Sequence, residues 1–291
     1  MSGVARIFAP IEAGLARVEE TMARRDNPGL AALAGGKRLR PALLLFAARS
    51  DGAGPSVERD AVLLAATVEM VHTASLIHDD VIDESNERRG GASLHKVIGT
   101  KAAIILADYL FVQGLALLES VRRTSLVPEV VREVRTMCEG QWLEMKVAAG
   151  ANCSERQYHE VIEKKTASLF AFCCRAGGQL RRADAAELAA LADFGRTFGF
   201  VFQLLDDAAD MALVEATARS RRGRATKVNE VRGLSERPDS MQLAIARRGG
   251  RRYLRRTALT FARRARTAAR RIADPVARQG MTGLLEFVME V

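Results

Sequence analysis

The residues of this sequence that are most clearly suited to chemistry are aspartates. Asp79, Asp80 and Asp83 follow an apolar stretch in the segment Ser-Leu-Ile-His-Asp-Asp-Val-Ile-Asp. Residues four positions apart share a helix face, so Asp79 and Asp83 point the same way, with Asp80 beside them. Three clustered carboxylates repel one another unless a cation compensates, and hard oxygen ligands suit Mg²⁺ that also bridges to phosphate. The segment therefore predicts a magnesium site.

A second group of aspartates repeats this spacing. Asp206, Asp207 and Asp210 follow the apolar segment Phe-Gly-Phe-Val-Phe-Gln-Leu-Leu. One acidic helix end is common on protein surfaces and would be weak evidence alone. Two such ends that face each other across a helix bundle can hold several metal ions around one diphosphate. The pair predicts a metal site that draws on all six aspartates.

Two basic clusters accompany the aspartates. One lies in Gly35-Gly36-Lys37-Arg38-Leu39-Arg40-Pro41, and the other is Arg88-Arg89-Gly90, just beyond Asp83. Guanidinium groups and backbone amides near a helix start suit diphosphate oxygens, although either cluster alone is more often solvated surface. A metal-bridged diphosphate and a separate basic pocket together indicate two phosphorylated substrates.

Helices are the elements that must position these residues. The segments 58–83, 100–119, 157–180 and 186–213 are rich in Ala, Leu and Val at helical spacing, whereas no run alternates with period two. The 291 residues include 48% hydrophobic and 27% charged residues, the balance of a soluble globular protein. We predict an all-α bundle of about ten or more helices in a single domain over residues 1–291. Because Asp108 and Gln113 interrupt even the most apolar run, we expect no transmembrane helix.

Arginines between Arg247 and Arg271 contribute much of the net charge of +9. Leu254, Ala258 and Ala265 recur there at helical steps, which predicts an amphipathic helix with an arginine-rich wet face. Aromatic residues on which bases could stack are scarce, so we expect no nucleic-acid partner. A solvated face, or a peripheral contact with anionic membrane lipids that carry product away, fits this charge. The four cysteines show no metal-binding spacing and the N-terminus no signal segment, so a cytoplasmic location is expected.

Taken together and in order, these motifs resemble the polyprenyl synthetase family of farnesyl, geranylgeranyl and longer-chain diphosphate synthases. The segments that carry the resemblance are GGKRLRP at 35–41, HTASLIHDDVIDES at 72–85, RRG at 88–90, EKKTASLF at 163–170 and FQLLDDAAD at 202–210. The resemblance implies a trans-prenyltransferase that condenses isopentenyl diphosphate with an allylic diphosphate. It also implies a homodimer and about three Mg²⁺ ions that bridge the substrate diphosphate.

The resemblance further implies a role for each motif residue. Isopentenyl diphosphate would be held by Lys37, Arg40, His72 and Arg89. The allylic substrate would be held by Arg88, Lys165, Thr166 and Gln203, with Arg224 as a further diphosphate ligand. The metals would be held by Asp79, Asp83 and Asp206. Catalysis would rest on these three aspartates and on Lys165, Thr166 and Gln203, the last two steadying an allylic cation with their oxygens.

The loop at 223–238 departs from the family pattern. Arg224 replaces the usual lysine, Lys227 the usual glycine and Asn229 the usual aspartate. This departure keeps open a second reading, a non-catalytic prenyl-binding subunit that regulates a partner synthase. A terpene cyclase is a third reading, but it would need Ser or Thr where Asp210 stands and Glu where Val214 stands.

Product length is indicated by the residues just before the first aspartate motif. Ala74 and Ser75 lie about one helical turn from Asp79, where short-chain synthases of the resembled family carry bulky groups. Because both residues are small, we expect a product of about twenty carbons or more. The deeper floor of the cavity would then be formed by Met70, Val71 and Phe111.

Overall fold

The computed structural model describes residues 3–23, 36–49, 54–88, 90–150, 152–221 and 240–290. The described residues form a succession of α-helices: α1 (Gly3–Phe8), α2 (Glu12–Ala23), α3 (Leu39–Ala48), α4 (Pro55–Ile82), α5 (Leu94–Ile98), α6 (Thr100–Leu118), α7 (Leu126–Ala149), α8 (Glu155–Ile162), α9 (Ser168–Leu180), α10 (Ala185–Arg221), α11 (Ser240–Arg247), α12 (Gly250–Ala269) and α13 (Pro275–Glu290). A 3-10 turn (Ala9–Ile11), a π-helical turn (Glu163–Ala167) and a hairpin of β1 (Glu87–Arg88) and β2 (Gly91–Ala92) complete them. The all-α prediction is confirmed, and the single domain stays a prediction.

Helix α4 carries the first aspartate motif at its C-terminal end. Pro55 occupies the first turn, where a missing N–H costs nothing, and the helix runs for 28 residues. It ends where the Asp83 N–H donates to the Asp79 carbonyl at 2.8 Å. Its apolar side packs against α2, α3 and α6. Because three neighbouring helices pack along α4, the carboxylates at its C-terminal end are held in a fixed position.

The main core joins α3, α9 and α10 through phenylalanines. Phe46, Phe170, Phe194 and Phe198 are all fully buried. The ring centroids of Phe170 and Phe198 lie 5.2 Å apart, in a tilted arrangement that favours aromatic pairs. This core holds α10, which carries the second aspartate motif, against α9.

A second hydrophobic cluster holds α8 and α12 against α10. Tyr158, Phe200 and Leu254 are buried in it, and the Phe200 ring stacks on Phe261 with centroids 4.2 Å apart. Leu254, Ala258 and Ala265 of α12 face inward, whereas its arginines face outward. The amphipathic helix predicted for this stretch is therefore present.

Two glycines let neighbouring helices approach the π-helical turn closely. A Cβ on Gly140 of α7 would lie 2.6 Å from the Lys165 backbone nitrogen, and one on Gly199 of α10 would lie 2.6 Å from the Ala167 Cα. Both distances are shorter than any real contact of this kind. Glycine is therefore required on each side of this turn, and Lys165 and Thr166 lie between the two helices.

Three described helices are long and apolar enough to cross a membrane, judged by length and composition alone: α4, α6 and residues 185–211 of α10. The sequence expectation of no such helix depended on uninterrupted apolar runs, which is a stricter requirement. In α4 and α10 most of the apolar window is buried inside the protein, 72% and 56% respectively. The corresponding window of α6 is only 33% buried. The uncovered side of α6 therefore needs a separate explanation.

Candidate active site

Asp80, the middle residue of the first aspartate motif, is bound to an arginine. The β-hairpin brings Arg88 back to the end of α4, where its Nε lies 2.9 and 3.0 Å from the two Asp80 oxygens. The Arg88 NH2 group also donates to Asp80. The Asp80 side chain is only 6% exposed. A buried carboxylate bound in this two-pronged way is stabilised by the guanidinium and holds it in place.

Asp79 and Asp83 are less fully compensated. Burial raises the pKa of Asp79, although Lys165 and Arg88 oppose the shift. Partial burial raises the pKa of Asp83 to about 6, against the opposing charge of Lys165 and with the help of Glu144 and Asp79. Raised pKa values mean that the ionised forms are costly in the folded protein. A cation would relieve this cost.

Lys165 is the cation that the protein itself supplies there. Its Nζ lies 3.5 Å from Asp79 Oδ2 and donates to Glu144 of α7. Burial alone would lower the pKa of Lys165, but the carboxylates of Glu144 and Asp79 outweigh it and raise the pKa. The ammonium group is therefore charged and held beside the first aspartate motif.

A hydrogen-bonded series leads from Thr166, the residue after Lys165, to the second motif. The neighbouring Thr166 donates from Oγ1 to Gln203 Oε1 at 2.9 Å. Gln203 Nε2 donates to Asp207 Oδ1 at 2.9 Å, and the Tyr158 hydroxyl donates to Asp207 Oδ2. Burial raises the pKa of Asp207 to about 7, although the bonds from Tyr158 and Gln203 oppose the shift. Burial, together with the Asp207 charge, also raises the pKa of Tyr158.

The outer aspartates of the second motif, Asp206 and Asp210, are exposed on α10. Within the described residues, no three His, Cys, Asp or Glu side chains converge as a ready metal cluster. The donors are nevertheless hard carboxylate oxygens, two of them with raised pKa values at the end of α4. This set fits Mg²⁺ that keeps waters and is completed by substrate phosphate oxygens, rather than an ion enclosed by protein ligands.

The first basic cluster is divided between the surface and the interior. Lys37 is exposed, with its Nζ 5.6 Å from the centre of the Phe287 ring. Arg38 has a backbone φ of 49° and forms ion pairs with Glu19 and Glu69, the latter at 2.6 Å. Arg38 therefore anchors the start of α3 to α2 and α4.

Arg40 is buried and lies between two partners. Its guanidinium is 4.2 Å from the centre of the Phe170 ring, and its NH1 is 3.0 Å from His72 Nε2. Burial lowers the pKa of Arg40, against the attraction of Glu69. His72 precedes Asp79 by seven residues, two turns or about 10 Å along the same face of α4. The pair therefore lies on the side of α4 that leads to the first aspartate motif.

Three residues of the predicted site, Gly35, Arg89 and Arg224, lie outside the described residues, as does the whole loop at 223–238. Conversely, sequence reasoning missed Tyr158, Glu144, Gly140 and Phe170. A signal existed for two of them: Tyr158 lies two helical turns before Lys165, and Gly140 stands inside a helix that otherwise avoids glycine. Nothing local marked Glu144, because its partner comes from another helix.

Comparisons with known proteins identify the family of this chain. The polyprenyl synthetase family model matches residues 26–224. The geranylgeranyl diphosphate synthase of Methanosarcina mazei is 37% identical over 195 residues, which cover 65% of this chain and 59% of that protein. The octaprenyl diphosphate synthase of Escherichia coli is 34% identical over 176 residues, which cover 60% and 54%. In both cases the chain spans less than two thirds of the relative's length.

Solved structures match over nearly the whole chain. The polyprenyl synthase of Caulobacter crescentus, complexed with calcium and isoprenyl diphosphate, superposes with a TM-score of 0.80 at 28% identity, covering 99% of this chain and 98% of that one. The decaprenyl diphosphate synthase of Rhodobacter capsulatus gives a TM-score of 0.80 at 29% identity, with the same coverage.

Proposed function

The chain belongs to the polyprenyl synthetase family, and from this we propose that it is a trans-prenyltransferase that joins isopentenyl diphosphate to an allylic diphosphate. The product is a linear polyprenyl diphosphate of about twenty carbons or more, together with diphosphate. One observation carries the proposal. Lys165 contacts Asp79, and the next residue in the chain, Thr166, is linked through Gln203 to Asp207, so that one site joins both aspartate motifs.

Substrate ionisation begins the proposed reaction. Lys165 and Arg88 bind oxygens of the allylic diphosphate, and Arg224 adds a further contact. Asp79, Asp83 and Asp206 would hold about three Mg²⁺ ions, which would neutralise charge on the departing diphosphate. The bond between the allylic carbon and oxygen breaks, and its electron pair leaves with the diphosphate. The oxygens of Thr166 and Gln203 steady the allylic cation by preorganised electrostatics.

Carbon–carbon bond formation follows. Lys37, Arg40, His72 and Arg89 hold isopentenyl diphosphate so that its double bond faces the cation. The π electrons form the new bond to the allylic carbon, and the resulting tertiary cation loses a proton to the departed diphosphate. A new allylic diphosphate results, which can enter another cycle.

A direct assay separates this proposal from the alternative of a non-catalytic regulatory subunit. Purified protein is incubated with Mg²⁺, radiolabelled isopentenyl diphosphate and farnesyl diphosphate, and butanol-extractable radioactivity is followed. A synthase incorporates label only when both substrates and Mg²⁺ are present. Binding of farnesyl diphosphate without any incorporation would favour the regulatory subunit, whose best support is the altered loop at 223–238.

We further propose that the chain forms a homodimer through α6. Ile105 and Val112, seven residues apart and hence on one face, are 68% and 61% exposed. Exposed apolar patches of this kind mark interaction surfaces in soluble proteins. A second copy covers this face because a two-fold axis allows the same patch to contact itself.

Charge placed on this face should separate the subunits. We expect the double variant Ile105→Glu and Val112→Glu to sediment as a monomer in analytical ultracentrifugation, because two carboxylates cannot be buried between apolar helices. The control is Leu259→Glu, an equally large exposed apolar residue on α12, 50% exposed. A wild-type monomer, or a dimer that persists in the double variant, would contradict the proposal. Sedimentation that depends on detergent would instead indicate a lipid partner.

We propose that the arginines of α12 contact anionic membrane lipids, into which a polyprenyl product would be released. Arg255 and Arg256 are exposed on its outer face. We expect the protein to sediment with phosphatidylglycerol vesicles but not with phosphatidylcholine vesicles, and the double charge reversal to glutamate at these positions to weaken the binding at least several-fold. Reversal of exposed Arg132 and Arg135 on α7 is the control.

Two further outcomes bear on partners and location. Equal binding of the two charge-reversal variants to phosphatidylglycerol vesicles would show that the arginine-rich face of α12 is merely solvated. Salt-sensitive, sub-micromolar binding to duplex DNA would contradict the expectation of no nucleic-acid partner. The cytoplasmic location stays a prediction, which cell fractionation would test.

A further inference from the structure

Tyr158 is a buried polar residue of the site with no role assigned above. The start of its helix is well defined, because Ser154 and Gln157 form a capping box in which the Gln157 N–H donates to Ser154 Oγ at 3.2 Å. The ring is packed in the cluster of α8, α10 and α12, and the hydroxyl donates to Asp207. A tyrosine anchored at both ends in this way keeps its hydroxyl in one place.

The fixed position of the Asp207 carboxylate in turn sets the orientation of the Gln203 amide. Asp207 Oδ2 accepts the bond from Tyr158, and its other oxygen, Oδ1, accepts a bond from the Gln203 NH2 group at 2.9 Å. The amide oxygen is then turned to Thr166, which donates to it at 2.9 Å. If the amide rotated by half a turn, its positive NH2 end would occupy the place of the oxygen. The oxygen can steady a developing cation, and the NH2 end would repel it.

We propose that Tyr158 and Asp207 are positioning residues that fix the orientation of the Gln203 amide, and that Asp207 serves this purpose instead of binding metal. The inference rests on the proposed prenyltransferase function. It departs from the prediction made from spacing, which drew on all six aspartates, and it is consistent with the family resemblance, which implies Asp206 as the metal ligand of the second motif.

In the first motif, too, the middle aspartate differs from the two flanking aspartates in what it contacts. Its middle residue, Asp80, is buried against Arg88. Within the described part of the chain, the flanking Asp79 is paired with Lys165 instead, and no guanidinium donates a hydrogen bond to Asp83. In the second motif Asp206 and Asp210 are exposed, whereas Asp207 accepts bonds from Tyr158 and Gln203. In each motif, therefore, the middle carboxylate orients a side chain that faces substrate.

The kinetic test is Tyr158→Phe, which removes only the hydroxyl. We expect kcat to fall at least about five-fold, the scale of one hydrogen bond, with KM for isopentenyl diphosphate unchanged. The control is Tyr253→Phe, which removes a hydroxyl that donates to Glu155 at 2.6 Å in the same cluster but does not reach Gln203. Its kcat should stay within about two-fold of wild type.

A double-mutant cycle distinguishes positioning from general loosening of the fold. If Tyr158 acts through Gln203, then Tyr158→Phe should change kcat by less than about two-fold in a Gln203→Ala background. Additive effects would overturn the inference, as would an unchanged kcat in Tyr158→Phe alone. An inactive wild-type protein would instead refute the proposed function, and the metal measurement would then decide the inference.

The metal measurement counts Mn²⁺ bound in the presence of inorganic diphosphate, by electron paramagnetic resonance. We expect Asp207→Asn to bind as many Mn²⁺ ions as wild type, with affinity changed by less than about three-fold, and Asp206→Asn to lose at least one ion. The expectation follows because Asp207→Asn leaves the carboxylate of Asp206 in place, whereas Asp206→Asn replaces a coordinating carboxylate with a neutral amide. Loss of an ion from Asp207→Asn would overturn the inference.

Discussion

Asp83→Ala and Asp206→Ala are each expected to lower kcat at least about 100-fold, the scale for removal of one preorganised electrostatic contact to a transition state. Asp83 lies at the end of α4 beside Asp79 and Lys165, and Asp206 lies next to the network that holds Gln203. Loss of either carboxylate removes a ligand from the proposed Mg²⁺ sites, so the diphosphate departs with less of its charge neutralised.

The control for Asp206→Ala is Asp193→Ala, an exposed aspartate on the same helix but outside both motifs, which should retain wild-type turnover. Unfolding is excluded by thermal denaturation of the metal-free proteins. Because the pKa of Asp83 is raised from 3.8 to about 6 in the folded state, ionisation of this carboxylate lowers the stability of the fold as the pH rises above about 4, and the loss is complete above about pH 6. Asp83→Ala should therefore be no less stable than wild type at pH 7.5. Near-wild-type turnover in either variant would refute the metal assignment.

Ala74→Phe is expected to shorten the main product from about twenty carbons or more to about fifteen. Ala74 is 2% exposed on α4, between the predicted floor residue Met70 and the aspartate motif. Its neighbour Ser75 is held by a bond from Oγ to the His72 carbonyl at 2.8 Å. A phenyl ring at this level fills the space into which a chain would grow. Chromatography of the dephosphorylated products measures the change.

Overpacking is the competing effect of this substitution, since extra volume in a filled core typically costs about 1–3 kcal/mol. Phe111→Ala therefore provides the opposite test. Phe111 of α6 is half-buried against the core, and α6 packs closely on α4, where a Cβ on Gly114 would lie 3.3 Å from the Met70 Cβ. Removal of the ring should lengthen the product, which destabilisation cannot do. A wild-type enzyme that stops at fifteen carbons, or unchanged length in Ala74→Phe, would contradict the cavity assignment.

The all-α architecture and the two aspartate motifs could be predicted because both depend on local spacing. Helical periodicity is visible within any one segment, as in 186–213, and the i, i+1, i+4 pattern places Asp79 and Asp83 on one face whatever the rest of the chain does. The family resemblance also linked Lys165, Thr166 and Gln203 to one substrate. In the structure Lys165 and Thr166 are consecutive residues, and Thr166 donates a hydrogen bond to Gln203.

The role of each charged side chain within the helix bundle depends on partners that are remote in sequence. Arg38 stands in a predicted phosphate-binding cluster but is paired with Glu19 and Glu69. Asp80 and Asp207 look like their neighbours in sequence, yet one is bound by Arg88 and the other by Tyr158 and Gln203. Local periodicity sets which face of a helix a residue occupies. Only the packing of helices against one another sets which group it meets there, and hence which carboxylates orient a neighbouring side chain.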